Sequence, residues 1–170
     1  IQAGIDAEKI SVRPHFLSEI PSKRTESKNY ALFIGRMSPE KGVWVLLKAW
    51  ENIKNLDLKL MGAGPLLDQV KAEVRNRGLT NVEVLGYQPD EQYREYLKAA
   101  KLLIVPSISY DNFPRTIIEA YSYGVAVIAS DLDGIKEYIR EKETGLTFIA
   151  GDERDLMDKV RWCLDSRERL

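Results

Sequence analysis

Two cations flank a helix start in Gly35 to Gly42 (GRMSPEKG), with Arg36 and Lys41 on either side of Ser38 and Pro39. Unpaired backbone N–H groups and the positive end of the peptide dipoles make a helix start hospitable to phosphate. Arg36 can grip two phosphate oxygens at once, and Lys41 adds a point charge. Each such bond contributes about 1.5–3 kcal/mol. On position alone, the two side chains serve equally well as solvated surface charges. A second stretch, Leu102 to Ser130 (LLIVPSISYDNFPRTIIEAYSYGVAVIAS), carries carboxylates where chemistry could sit. Glu119 falls on a helix among Ile117, Ile118, Ala120 and Tyr121. A carboxylate in apolar surroundings must find partners or give up its charge. Ribose hydroxyls would satisfy both of its oxygens, and so would an ion pair with Arg115 one turn earlier. Asp111 and the N–H groups around Asn112 and Phe113 could hold sugar hydroxyls, or Asp111 and Asn112 could cap the helix.

The elements that must position these groups alternate from Tyr30 onward. Tyr30 to Ile34 (YALFI), Leu56 to Met61, Asn81 to Leu85, Leu102 to Val105, Val125 to Ala129 and Gly145 to Ile149 read as strands. A helix is expected from Pro39, capped by Ser38, to about Asn52, burying Val43, Leu46, Leu47 and Trp50. Trp44 and Trp50 read as packing residues. Further helices are expected over 65–77, ended by Gly78, and from Glu91 to Ala100, capped by Asp90. Another begins at Pro114 and stops at Gly124, a short helical piece carries Glu137 and Tyr138, and the last follows Asp152 with Leu156, Val160 and Leu164 inward. Alternating strands and helices mean an α/β fold, a parallel sheet with helices on both faces. Ligands then bind outside the carboxyl ends of the strands. Four loops fall there: Gly35 to Gly42, Gly62 to Pro65, Gly86 to Gln88 and Ser107 to Pro114. Gly62-Ala63-Gly64-Pro65 is not a dinucleotide fingerprint, because Leu67 stands where a third glycine would be needed. No Walker motif is present.

Composition narrows the classes further. The chain has 170 residues, 44% of them hydrophobic, enough for one domain with a real core. A net charge of −1 argues against a nucleic-acid surface but not against a small phosphate-bearing ligand. Cys163, the single cysteine, excludes an internal disulfide and reads as a small apolar helix residue. His15, the single histidine, reads as a loop residue without a catalytic task. No apolar run is long enough to span a bilayer, and no cluster has metal-ligand spacing. The opening IQAGID does not read as a natural start, so the chain is expected to be a piece of a longer protein. Residues 1–29 would then be a leading segment, with a possible short strand at Lys9 to Arg13 and a polar linker from Ile20. Residues 30–170 would form the domain.

The ordered set GRMSPEKG, LMGAGP, VEVLGY, DNFPRTIIEAYSYGVAVIAS and ETGLTFIAGD resembles the C-terminal domain of the family-4, GT-B-fold retaining glycosyltransferases, many of them mannosyl- and glucosyltransferases. The resemblance covers about residues 30 to 165, and AGIDAEKISVRPHFL resembles the segment leading into that domain. It implies a Rossmann-like domain, one half of a GT-B fold, that binds a GDP- or UDP-linked sugar and needs no cofactor or metal. It also implies roles. Arg36 and Lys41 would hold the donor diphosphate, near Gly35. Glu119 would bind the ribose, and Thr116 and Ile117 would meet the phosphates at the helix start. Tyr87 and Gln88 would lie by the base, and Gly62 and Gly64 would let the nucleotide approach. Asp111 stands where the family has Glu, one methylene longer; a misplacement of about 1 Å can cost ~100-fold in rate. The acceptor, a glycan or lipid-linked sugar, and the catalytic histidine would belong to a missing N-terminal domain. Location would be cytoplasmic, with peripheral attachment to the inner face of the membrane left open. A nucleotide- or phosphate-binding module without transferase chemistry is the alternative.

Overall fold

The computed structural model describes residues 26–109 and 114–165. The leading segment with Lys9 to Arg13 and His15, and the loop residues Asp111, Asn112 and Phe113, lie outside them.

Six strands form one sheet: β1 (Tyr30–Ile34), β2 (Asp57–Met61), β3 (Val82–Gly86), β4 (Leu102–Val105), β5 (Ala126–Ser130) and β6 (Gly145–Phe148). Their order is β3-β2-β1-β4-β5-β6 and every pairing is parallel. Strand order reverses between β1 and β4, where Ala31 pairs with Leu102 and Phe33 with Ile104. Parallel strands buried on both faces read as continuous apolar runs, which is why β1 and β4 were the most legible.

Side-chain alternation divides the core into two layers. Ala31, Phe33, Leu58, Leu60, Ile104 and Ile128 join the cluster that includes residues of α1 (Val43–Trp50), α2 (Leu67–Asn76) and α5 (Glu153–Asp165). Leu32, Leu103, Val105, Val127 and Ala129 join the cluster with α3 (Asp90–Ala99) and α4 (Arg115–Ser122). Helices therefore cover both faces, as a doubly wound sheet with right-handed crossovers requires. The expected α/β, Rossmann-like fold, a parallel sheet with helices on both faces, is what the chain adopts. Among the described residues, no helix is long and apolar enough to cross a membrane.

Four helix starts differ from expectation. The helix expected from residue 65 begins at Leu67. The stretch from Pro39 is not one helix. Pro39–Lys41 forms a single 3-10 turn, Gly42 takes a left-handed φ of 71°, and α1 begins at Val43. Gly42 lies so close to the loop after β4 that a Cβ there would sit 1.7 Å from the Pro106 carbonyl oxygen. Ser38 caps no backbone group, because its hydroxyl donates to Glu40 Oε1 at 2.5 Å. Pro114 is the residue before α4, extended at ψ 114°, and its carbonyl accepts from Ile117 N at 3.0 Å. Asp90 is the first residue of α3 rather than its cap; Pro89 precedes it, with its carbonyl accepting from Tyr93 N at 2.9 Å. Asp152 does cap α5, accepting from the N–H groups of Arg154 (2.8 Å) and Asp155 (3.1 Å).

The outer edge of β6 is occupied by side chains. Thr147 N donates to Glu141 Oε1 at 2.7 Å, and Ile149 N to Asp155 Oδ2 at 2.7 Å.

Candidate functional site

The loops leaving the carboxyl edge are stitched to one another through their backbones. Gly35 N donates to Met61 O (3.0 Å), Met37 N to Ala63 O (2.9 Å), Gly62 N to Gly86 O (2.8 Å) and Ile108 N to Glu40 O (2.9 Å). Two glycines make the closest approaches possible. At Gly62 (φ 134°) a Cβ would lie 1.9 Å from Gly35 O, and at Gly64 (φ 157°) one would lie 2.5 Å from Met37 O. In the structure these glycines thus serve contact between loops: they press the second loop against the first and set the position of Gly35 and Arg36.

The joined loops, with α3 and α4, surround a cavity of about 440 Å³. Its lining includes the expected residues Gly35, Arg36, Gly62, Tyr87, Gln88 and Glu119. Asp90, Tyr93 and Arg94 of α3 and Arg115 of α4 complete the polar part. Three guanidiniums face two carboxylates there, a balance that suits an anionic ligand. Tyr87 is 74% exposed at its rim. The Gln88 side-chain amide donates to Leu85 O at 2.9 Å.

Of the other expected residues that are described, Lys41, Gly64, Thr116 and Ile117 lie at the same edge or near it, but not in the cavity lining. Lys41 ends the 3-10 turn and is half-buried. Nearby, the Glu40 carboxyl is held below its ordinary pKa, first by the Ser38 hydroxyl, then by its own backbone N–H and the charges of Arg36 and Lys41. Ile117 is fully buried in the core on the α4 side, with its N–H committed to Pro114 O. Thr116 is half-buried beside it.

Glu119 is held from two sides. Its Oε2 accepts from the Tyr93 hydroxyl, and its Oε1 lies 3.2 Å from the Arg115 guanidinium. The Glu119 side chain is 18% exposed and that of Arg115 67%. The ion pair one turn back is present, as the spacing allowed, alongside a partner the sequence reading missed. Burial first, then the hydrogen bond to Glu119, push the Tyr93 phenol far above its ordinary range, so it remains a donor. Tyr93 and Arg94 stand three and four residues after Asp90, a spacing that puts all three on one helix face. That spacing was the available signal for α3.

A second cavity, of about 510 Å³, opens at the amino end of β5, lined by Tyr121, Val125, Tyr138 and Thr144 among others. The Tyr121 hydroxyl donates to Tyr138 O at 2.9 Å, and that of Thr144 lies 3.1 Å from the Tyr121 hydroxyl. It sits at the edge opposite the one where doubly wound sheets take their ligands.

Several known proteins resemble this chain. The lipopolysaccharide 1,2-N-acetylglucosaminetransferase of Salmonella typhimurium is 33% identical over 157 residues, covering 85% of this chain and 41% of that protein. The phosphatidyl-myo-inositol mannosyltransferase of Mycobacterium leprae is 29% identical over 166 residues, covering 94% and 42%. Among solved structures, the apo form of the lipopolysaccharide outer core galactosyltransferase WaaB matches with a TM-score of 0.81 at 25% identity, over 98% of this chain and 49% of that one. The chain spans about two fifths of the length of the curated relatives it matches. The family model for glycosyl transferases group 1 matches residues 18–170, and the chain belongs to that family.

Proposed function

We infer that this chain is the donor-binding half of a retaining glycosyltransferase that moves a hexose of the mannose or glucose type from a GDP- or UDP-linked donor to a hydroxyl acceptor. The observation that carries the reading is the meeting of Arg36 and Glu119, far apart in sequence, at one cationic cavity on the carboxyl edge of β1 and β2. In this reading Arg36 and Lys41 stabilise the diphosphate and Glu119 holds the ribose. The base lies against Tyr87 and Gln88, and Asp111, with Asn112 and Phe113, faces the transferred sugar. The bond between the anomeric carbon and the diphosphate oxygen breaks, negative charge grows on the leaving group, and the acceptor oxygen bonds to the same carbon as its hydroxyl proton passes to the departing diphosphate. Donors already aimed at that growing charge lower the barrier without reorganising. The acceptor, a glycan or lipid-linked sugar, would be presented by a further domain.

Calorimetric titration of the full chain with UDP, GDP and ADP tests this. One nucleoside diphosphate should bind selectively, with affinity lost about tenfold or more in Arg36→Ala and Glu119→Ala. Equal, weak binding of all three, unaffected by Glu119→Ala, would leave a generic phosphate site and sink the donor reading.

A further inference from the structure

We propose that Tyr93 is the positioning residue of the site: its hydroxyl pins Glu119 Oε2 and so presents Oε1 to the vicinal hydroxyls of the nucleotide's ribose. The proposal deepens the function proposed above and rests on its assignment of Glu119.

The two partners of Glu119 differ in kind. Tyr93 comes from another helix, is half-buried and has few rotatable bonds, so its hydroxyl is a fixed point. Arg115 lies on α4 itself and its side chain is two-thirds exposed at 67%. An exposed i,i+4 pair on a helix is weak and exchanges readily with water. A ligand hydroxyl can therefore take the place of Arg115 at Oε1, while Oε2 stays bonded to Tyr93. Both side chains line the cavity, so the pinned carboxylate faces the space a ligand would fill. The protonation of the phenol suits the task, since burial and the neighbouring carboxylate both oppose its ionisation. Without that hydroxyl, Glu119 is free to turn toward Arg115, and the orientation for a ribose is lost.

The test compares each nucleoside diphosphate that binds the full chain with its 2′,3′-dideoxy analogue, by calorimetry. The wild type should favour the ribonucleotide. Glu119→Gln should lose that preference, Tyr93→Phe should lose about tenfold of it, and the double variant should lose no more than Glu119→Gln. Arg115→Ala should weaken both ligands alike and leave their ratio unchanged. A full preference in Tyr93→Phe, with the preference lost in Glu119→Gln, would overturn the positioning role while leaving the site reading intact. A preference that survives Glu119→Gln would overturn the assignment of Glu119 itself, and this proposal with it. If Tyr93→Phe does not fold, Arg115→Ala decides: loss of the ratio there makes Arg115 the orienting group and overturns the proposal.

Discussion

Replacing Gly62 by alanine should damage both stability and binding, and by much more than the same change at Gly78. Both glycines have positive φ, 134° and 61°, so both substitutions strain the backbone. They differ in surroundings. At Gly78 nothing lies within 4 Å of an added Cβ, whereas at Gly62 the added atom would meet Gly35 O at 1.9 Å and Gly35 C at 2.9 Å. Backbone strain of this kind costs about 1–3 kcal/mol. Relieving the clash needs a shift of about 1 Å or more in one of two loops, because Cβ atoms do not approach other atoms closer than 3.0 Å. That shift loosens Gly35 N to Met61 O and Gly62 N to Gly86 O, each worth ~1 kcal/mol net. The sum for Gly62→Ala is about 3–5 kcal/mol, against about 1 kcal/mol for Gly78→Ala. Urea unfolding at 25 °C with freely fitted slopes measures both. Nucleotide titration of the folded fraction should show weaker binding for Gly62→Ala, since Gly35 carries Arg36 with it. If the two variants unfold within 1 kcal/mol of each other, the view that Gly62 is required by loop contact is wrong.

Other outcomes follow from the core and the caps. Asp152→Ala should cost about 0.5–2 kcal/mol in urea unfolding by uncapping α5. Trp50→Phe should cost about 1–3 kcal/mol. Its buried indole N–H donates to Leu56 O at 3.0 Å, although Asn81 still donates to that carbonyl at 3.3 Å. Stability should fall at alkaline pH. Burial pushes the Cys163 thiol from 9.0 to about 12 and, as the largest cause, the Tyr30 phenol from 10.0 to about 12. The unfolded chain releases these protons first, so the stabilisation is complete below pH 9 and is lost as pH rises toward 12. In Cys163→Ala the decline should begin near pH 10, where the unfolded tyrosines start to ionise; urea midpoints at stepped pH read this directly.

Strand positions were legible because burial on both faces leaves uninterrupted apolar runs such as Tyr30 to Ile34 and Leu102 to Val105. Helix starts were less so, because tertiary contact decided them. Gly42 breaks the expected helix on account of Pro106, a neighbour in space contributed by the loop after β4. The site divides in the same way. The Arg115–Glu119 pair follows from a spacing of four within one helix. The bond from Tyr93 to Glu119 joins two helices that precede and follow β4 in the chain, and no local pattern records it. Ile117 illustrates the opposite lesson: its apolar side chain obeyed helical periodicity and went to the core.

The carboxylates along the outer edge of β6 bear on how copies of this molecule meet. A bare parallel edge is a template for another strand, and proteins that leave one open risk sheet-to-sheet polymerisation. Here an incoming chain would find the N–H groups of Thr147 and Ile149 already engaged by Glu141 and Asp155. It would have to displace two anionic side chains before gaining either bond. Self-association through this edge is thereby suppressed.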